Sequence, residues 1–126
     1  MASVDDLLTA NLHAVFGQRD ASARAAVAQD AYADDVVFTD PEGSVTGRDA
    51  LLGKAAGLLD EAPAEFVFAE DGPRYVSGTA GALAWAFGPA DAPVARGIDV
   101  ITVQEGRIAT LLTILTDEAP PLTPTI

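Results

Sequence analysis

Cysteine is absent from the chain, which excludes disulfide bonds and thiolate metal sites and suits a cytoplasmic protein. Histidine occurs once, at His13, so no Cys/His cluster of metal-binding spacing exists. Gly-rich phosphate loops and a Gly-x-Ser-x-Gly elbow are also missing, so metal, nucleotide and serine-hydrolase readings lack their residues and no cofactor is expected. Basic side chains are scarce: 7 Lys and Arg stand against 19 Asp and Glu, for a formal net charge of −12. Such a balance repels phosphate backbones and anionic lipid surfaces, so neither nucleic acid nor membrane is an expected partner. No apolar run approaches the ~20 residues of a membrane helix. Met1 to Ala10 carries acids and no basic residue, unlike a secretory signal. Abundant Ala with scarce Lys points to a GC-rich bacterial genome.

What is present is apolar. A hydrophobic fraction of 49% and a mean hydropathy of +0.24 over 126 residues are enough for one packed domain. The expected boundaries are a single domain over 1–119 and a Pro-rich tail over 120–126, with Pro120, Pro121 and Pro124 holding the tail extended.

Val4, Leu7, Leu8, Leu12, Val15 and Phe16 repeat at helical spacing. Ser3 with Asp5 and Asp6 starts that helix and Gly17 stops it. An Ala-rich stretch predicts a second helix from about Ser22 to Tyr32, capped by Asp20 or Ser22. Val36 to Thr39 reads as a strand, Pro41-Glu42-Gly43 as a turn, and Ser44 to Thr46 as a short return strand. A third helix covers Arg48 to Leu59 and ends before Pro63. Four longer strands follow: from Glu65, interrupted or bulged at Asp71-Gly72-Pro73 and resuming at Arg74 to Ser77; Ala82 to Phe87; Arg96 to Gln104; and Arg107 to Thr116. The last two are joined by the tight Glu105-Gly106 hairpin. Helices early and consecutive strands late predict an α+β fold: a strongly curved antiparallel sheet, one face covered by three helices, enclosing a cone with an internal cavity.

Two acids stand out. Alternation puts Asp40 on the face of Val36 and Phe38, so an inward Phe38 brings Asp40 inward. There it can serve as a general base; the competing reading is an Asx turn before Pro41. Asp99 lies inside the apolar strand Gly97 to Val103, where a buried acid must be ion-paired, solvated by a cavity, or protonated. Arg96 and Arg74 are the candidate ion partners. Without one, desolvation raises the pKa and makes Asp99 a neutral hydrogen-bond donor. His13 falls off the apolar stripe and reads as an edge position, while Trp85 shares a face with Leu83 and Phe87. Tyr32 and Tyr75 read as amphipathic packing.

The segment Tyr32 to Ser44 resembles the first-strand region of bacterial ketosteroid isomerases, and Gly97-Ile98-Asp99-Val100 resembles their oxyanion-hole strand. Arg19-Asp20, Gly47-Arg48-Asp49-Ala50 and the strands around Glu105-Gly106 are similar to SnoaL-like proteins of the nuclear-transport-factor-2-like, cystatin-like superfamily. The resemblance covers about residues 5–117 and implies the cone-shaped α+β roll. It also implies Asp40 as general base and Asp99 as hydrogen-bond donor in a cofactor-free isomerase or cyclase of apolar carbonyl compounds, steroid- or polyketide-like. The family's tyrosine donors fall at Leu12 and near Ala55. The implied ligand is an apolar small molecule in an internal pocket lined by Leu12, Phe16, Phe38, Leu58, Phe68, Trp85, Ile101 and Leu112. The alternative is a noncatalytic ligand- or protein-binding module on the same fold. Apolar residues at both parities of the late strands predict a homodimer through the open sheet face.

Overall fold

The computed structural model describes residues 2–116 of the chain. The expected tail over 120–126 and the domain end at 119 lie outside the described residues. Helix α1 spans Val4–Thr9, opened by a capping box in which Ser3 accepts from the Asp6 amide and Asp6 accepts from that of Ser3. It continues as a π-helical segment over Ala10–Phe16, a widening of the expected regular helix. Helix α2 (Ala21–Ala31) starts at Asp20, whose carboxylate accepts from the Ser22 amide. Tyr32 ends α2 by turning extended, so it opens β1 and does not belong to the helix as expected. Strand β1 runs Tyr32–Asp40 and β2 Gly43–Thr46; helix α3 follows over Arg48–Glu61. The long strands are β3 (Val67–Ser77), β4 (Ala80–Gly88), β5 (Ala95–Gln104) and β6 (Arg107–Leu115).

These strands form one six-stranded sheet in the order β2-β1-β6-β5-β4-β3. Hairpins join β3 to β4, β4 to β5 and β5 to β6 antiparallel, the last through Glu105 at φ 54° and Gly106 at φ 76°. The β1–β6 pairing is parallel, so the sheet is mixed and not the purely antiparallel one expected. Adjacency in sequence predicts hairpins, but β1 and β6 are far apart in the chain and become neighbours only through the strand order of the sheet. The ladder slips between Glu70 and Arg74, around Gly72 and Pro73, and again between Thr102 and Val103. Bulges of this kind bend the sheet and sharpen its twist.

The concave face carries Leu83, Trp85, Phe87, Asp99, Ile101, Val103 and Leu111, all buried. Along the first helix the row Val4, Leu8, Leu12, Phe16 runs from Gly81 on β4, where Val4 and Leu8 press on the bare backbone, towards Phe38 on β1. Helix α3 closes the opposite side with Leu51, Ala55 and Leu59 in the core. Its C-terminal carbonyls would be orphaned. Arg19 answers them: its guanidinium donates to the carbonyls of Leu59 at 2.9 Å and Ala62 at 3.4 Å, and beyond the helix to those of Pro63 at 2.7 Å and Phe66 at 3.2 Å. That grip ties the start of α2 to the end of α3 and to the segment that leads into β3.

Gly97 has a packing role. A Cβ there would sit 2.4 Å from Cζ2 of Trp85 and 2.7 Å from the Ile114 carbonyl oxygen. Because backbone bounds one side, the indole must move. Gly97→Ala is expected to cost about 1–3 kcal/mol of stability and to red-shift the emission of Trp85, the only tryptophan. Denaturant unfolding followed by fluorescence checks both; unchanged emission would show that the indole does not need the glycine.

Candidate active site

Between the concave face and α3 lies a cavity of about 480 Å³, lined among others by Phe16, Phe38, Leu58, Phe68, Trp85, Asp40 and Asp99. Its walls are aromatic: Phe68 meets Trp85 edge-on at 5.3 Å between ring centroids, and Phe16 meets Phe38 at 5.6 Å. Three residues expected on the wall are elsewhere. Leu12 and Ile101 are fully buried in the closed core, while the π-helical segment and β5 reach the cavity at Phe16 and Asp99. Leu112 is exposed on the convex face, since strand alternation turns its neighbours Leu111 and Thr113 inward in its place.

Asp99 is 6% exposed and accepts three hydrogen bonds. Trp85 Nε1 donates to Oδ1 at 3.0 Å and Thr113 Oγ1 donates to the same oxygen at 2.8 Å, while Asn11 Nδ2 donates to Oδ2 at 2.9 Å. Neither candidate arginine reaches it. Arg96 pairs with Asp71, and Arg74 pairs with Glu70 and Asp5. Burial pushes the Asp99 carboxyl up from 3.8 to about 6, with the Thr113, Trp85 and Asn11 donors pulling it back. The shift has the expected direction.

Asp40 lives differently. Its Oδ1 accepts from the Glu42 amide at 2.9 Å, closing the Asx turn at Pro41, and its Oδ2 lies 3.4 Å from Lys54 Nζ. Lys54 also binds Glu42 at 2.7 Å, and that contact, reinforced by Asp40, raises its pKa. Asp40 therefore faces the cavity while capping a turn and anchoring the ammonium.

Sequence reasoning missed Asn11, Thr113 and Lys54. Asn11 and Thr113 are short polar residues inside apolar patterns, and no local signal marks them. Tyr32 is fully buried, and its hydroxyl donates to Asn11 Oδ1 at 2.5 Å; it is more than amphipathic packing. His13 stays at the surface, 3.1 Å from Glu70. Arg74 chiefly, with His13, holds Glu70 down at about 2. Among the described residues no group of three or more His, Cys, Asp or Glu is placed to hold a metal ion, and no helix is long and apolar enough to cross a membrane.

The SnoaL-like domain model matches residues 10–111. No curated protein matches the chain. Among solved structures, a candidate isomerase of the SnoaL-like family from Agrobacterium tumefaciens is 22% identical, with a TM-score of 0.81 over 90% of this chain and 97% of that one. A candidate polyketide cyclase from Sinorhizobium meliloti is 21% identical, with a TM-score of 0.68 over 86% and 93%. A protein of unknown function with a cystatin-like fold, from Xanthomonas campestris, is 15% identical, with a TM-score of 0.71 over 93% and 92%. At such identities the likeness establishes the cone-shaped α+β fold.

The Trp85–Asp99 hydrogen bond supplies a reporter. Trp85 emission is expected to titrate with a midpoint near the carboxyl's value of about 6, and Asp99→Asn should remove that transition. The stability effect has a definite sign. A raised folded pKa means stability is full below the unfolded value and falls as pH rises towards the folded one. The loss is about 3 kcal/mol between pH 4 and 7, for a shift of about two units. Unfolding free energies of wild type and Asp99→Asn should therefore move apart by that amount, in favour of the variant, over that window. A constant difference would mean that Asp99 ionises alike in both states.

Proposed function

Because this chain belongs to the SnoaL-like domain family, we propose that it is a cofactor-free isomerase or cyclase of uncharged, apolar carbonyl compounds, steroid- or polyketide-like, bound in the cavity. A candidate isomerase and a candidate polyketide cyclase among the structural relatives support the reaction class. The volume, about 480 Å³, suits a ligand of that size. Four lining acids, Asp40, Glu42, Glu61 and Asp99, face one lysine, Lys54, which disfavours anionic ligands.

The observation that carries the reading is Asp99, a buried carboxyl at an aromatic cavity that three neutral donors hold and no arginine or lysine pairs with. Of its oxygens, Oδ1 takes two donors and Oδ2 only one, so Oδ2 keeps a free lone pair. These environments favour exchanging the roles first expected of the two acids. Asp99 Oδ2 takes a proton from the carbon alpha to the ligand's carbonyl. The electron pair moves onto the carbonyl oxygen, and the Lys54 ammonium, kept charged by Glu42 and Asp40, stabilises that enolate. The family's tyrosine donors are replaced here by the buried Leu12 and Ala55, so a cation at the wall takes on their task. Returning the proton from Asp99 to another carbon completes an isomerisation; attack of the enolate carbon on a second carbonyl of the same ligand closes a ring.

Asp40's turn and ion pair are structural tasks, and they favour a second reading as a noncatalytic binding module. Turnover separates the two. With a β,γ-unsaturated ketosteroid and an aromatic polyketide methyl ester as probes, kcat/KM for the better substrate should rise with pH to a plateau, with a midpoint near the Asp99 value of about 6. Asp99→Asn should lower it about 10²–10⁴-fold and Asp40→Asn by less than about tenfold, since Glu42 still holds Lys54. The reverse ranking would restore Asp40 as the base. Saturable binding of both probes without turnover would establish the binding module.

Self-association is the companion proposal. Tyr75, Leu112 and Ile114 are exposed, and Ile98 and Val100 half-buried, on the convex face of the sheet. An apolar face of this kind suits a twofold contact. Light scattering should give about twice the 12.9 kDa chain mass, and Leu112→Glu should return the monomer; a wild-type monomer at high micromolar concentration would refute it.

A further inference from the structure

Next to Asp99, outside the residues that line the cavity, a second polar pair is sealed into the core. Asn11 is 1% exposed and Tyr32 fully buried. The Asn11 carboxamide touches both neighbours, with Nδ2 on Asp99 Oδ2 at 2.9 Å and Oδ1 on the Tyr32 hydroxyl at 2.5 Å. A carboxamide has a donor end and an acceptor end of nearly equal size, and turning it over exchanges them. An ionised carboxylate only accepts, so Nδ2 must face Asp99. The acceptor end then faces Tyr32, which must donate.

The reverse arrangement would suit the opposite charge state. With a proton on Asp99 Oδ2, Asn11 Oδ1 could accept it while Nδ2 donated to the Tyr32 oxygen. The phenol can meet either face, but as a better donor than acceptor it favours the one that offers Oδ1, the face that serves the charged acid. Its own proton is firmly held, because burial and the neighbouring Asp99 charge push the Tyr32 pKa well above its ordinary value.

We propose that Asn11, held in orientation by Tyr32, is the positioning residue that sets how tightly Asp99 holds a proton. The inference rests on the reading of Asp99 as the proton-exchanging group of the cavity, and its test requires no turnover. Asn11 and Tyr32 touch neither the cavity nor the ligand space, so they act through Asp99 alone.

Other ionisable groups surround the site. Asp40 on β1, Glu42 in the turn after it, and Lys54 and Glu61 on α3 line the same cavity. From the first helix His13 reaches Glu70 on β3, and Glu70 in turn holds Arg74. All of them remain in the variants below, and titration of Asp99→Asn gives their combined baseline.

The measurement is the pH midpoint of Trp85 emission, with that baseline subtracted. Tyr32→Phe frees the amide to turn, and Asn11→Leu removes the donor; each should raise the midpoint by about one pH unit, the worth of one hydrogen bond to a charged acceptor. The double variant should move no further than Asn11→Leu alone, because Tyr32 acts only through Asn11. Thr113→Val, which removes an independent donor from the other oxygen, should add to Tyr32→Phe. Midpoints that stay within about 0.2 of wild type while thermal stability falls would reduce Tyr32 and Asn11 to packing residues and overturn the proposal. Full additivity of Tyr32→Phe and Asn11→Leu would also overturn it. Should Asn11→Leu fail to fold, Asn11→Ala gives the same comparison with a smaller side chain that also lacks a donor. Catalytic failure with the midpoints moving as expected would count against the proposed reaction and leave this inference standing.

Discussion

A carboxylate in a dry interior must find either a cation or enough donors, because desolvation alone would neutralise it or unfold the chain. Here no arginine or lysine pairs with Asp99, and three neutral donors converge on it from the first helix, β4 and β6. That convergence ties the first helix to the last three strands. The helix must lie across the sheet with Asn11 inward, β5 must sit between β4 and β6, and Gly97 must leave room for the indole that reaches Asp99. Among the described residues no buried side-chain polar atom is left without a partner, so the network is closed.

Two residues of the same type thus face one cavity with different properties. Asp40 sits at the rim, where a backbone amide and an ammonium occupy both oxygens. Asp99 sits at the floor, where neutral donors compensate burial only in part and leave its proton affinity near neutrality. Environment, not residue identity, makes the two carboxyls differ, as in other sites where two carboxylates do two jobs. The aromatic walls complete the setting: they keep water away from the floor, which raises both the cost of the charge and its reactivity.

The fold by itself does not choose among isomerase, cyclase and binder. What it supplies is a rigid cone. Arg19 pins the end of α3, and the bulges bend the sheet. The proposed chemistry then depends on few side chains, chiefly Asp99 and Lys54.

Much of this was legible in the sequence, and the reason is periodicity. Helical spacing over residues 4–16, turn residues at Pro41 to Gly43 and Glu105-Gly106, and the Ser3 and Asp20 caps are local signals. They settled the order of elements and the α+β class. The period of two set Phe38 with Asp40 on one face and Trp85 with Leu83 on another, and the anomaly of an acid in an apolar strand singled out Asp99. What needed the tertiary structure is whatever joins distant segments. The parallel β1–β6 contact, the turning of Leu112 outward, and the core positions of Leu12 and Ile101 depend on how far each element travels before it meets the cavity. Lys54 gained its partners, and Asn11, Tyr32 and Thr113 their roles, because hydrogen bonds across as many as 88 positions of sequence leave no trace in local pattern; only folding brings a donor to its acceptor.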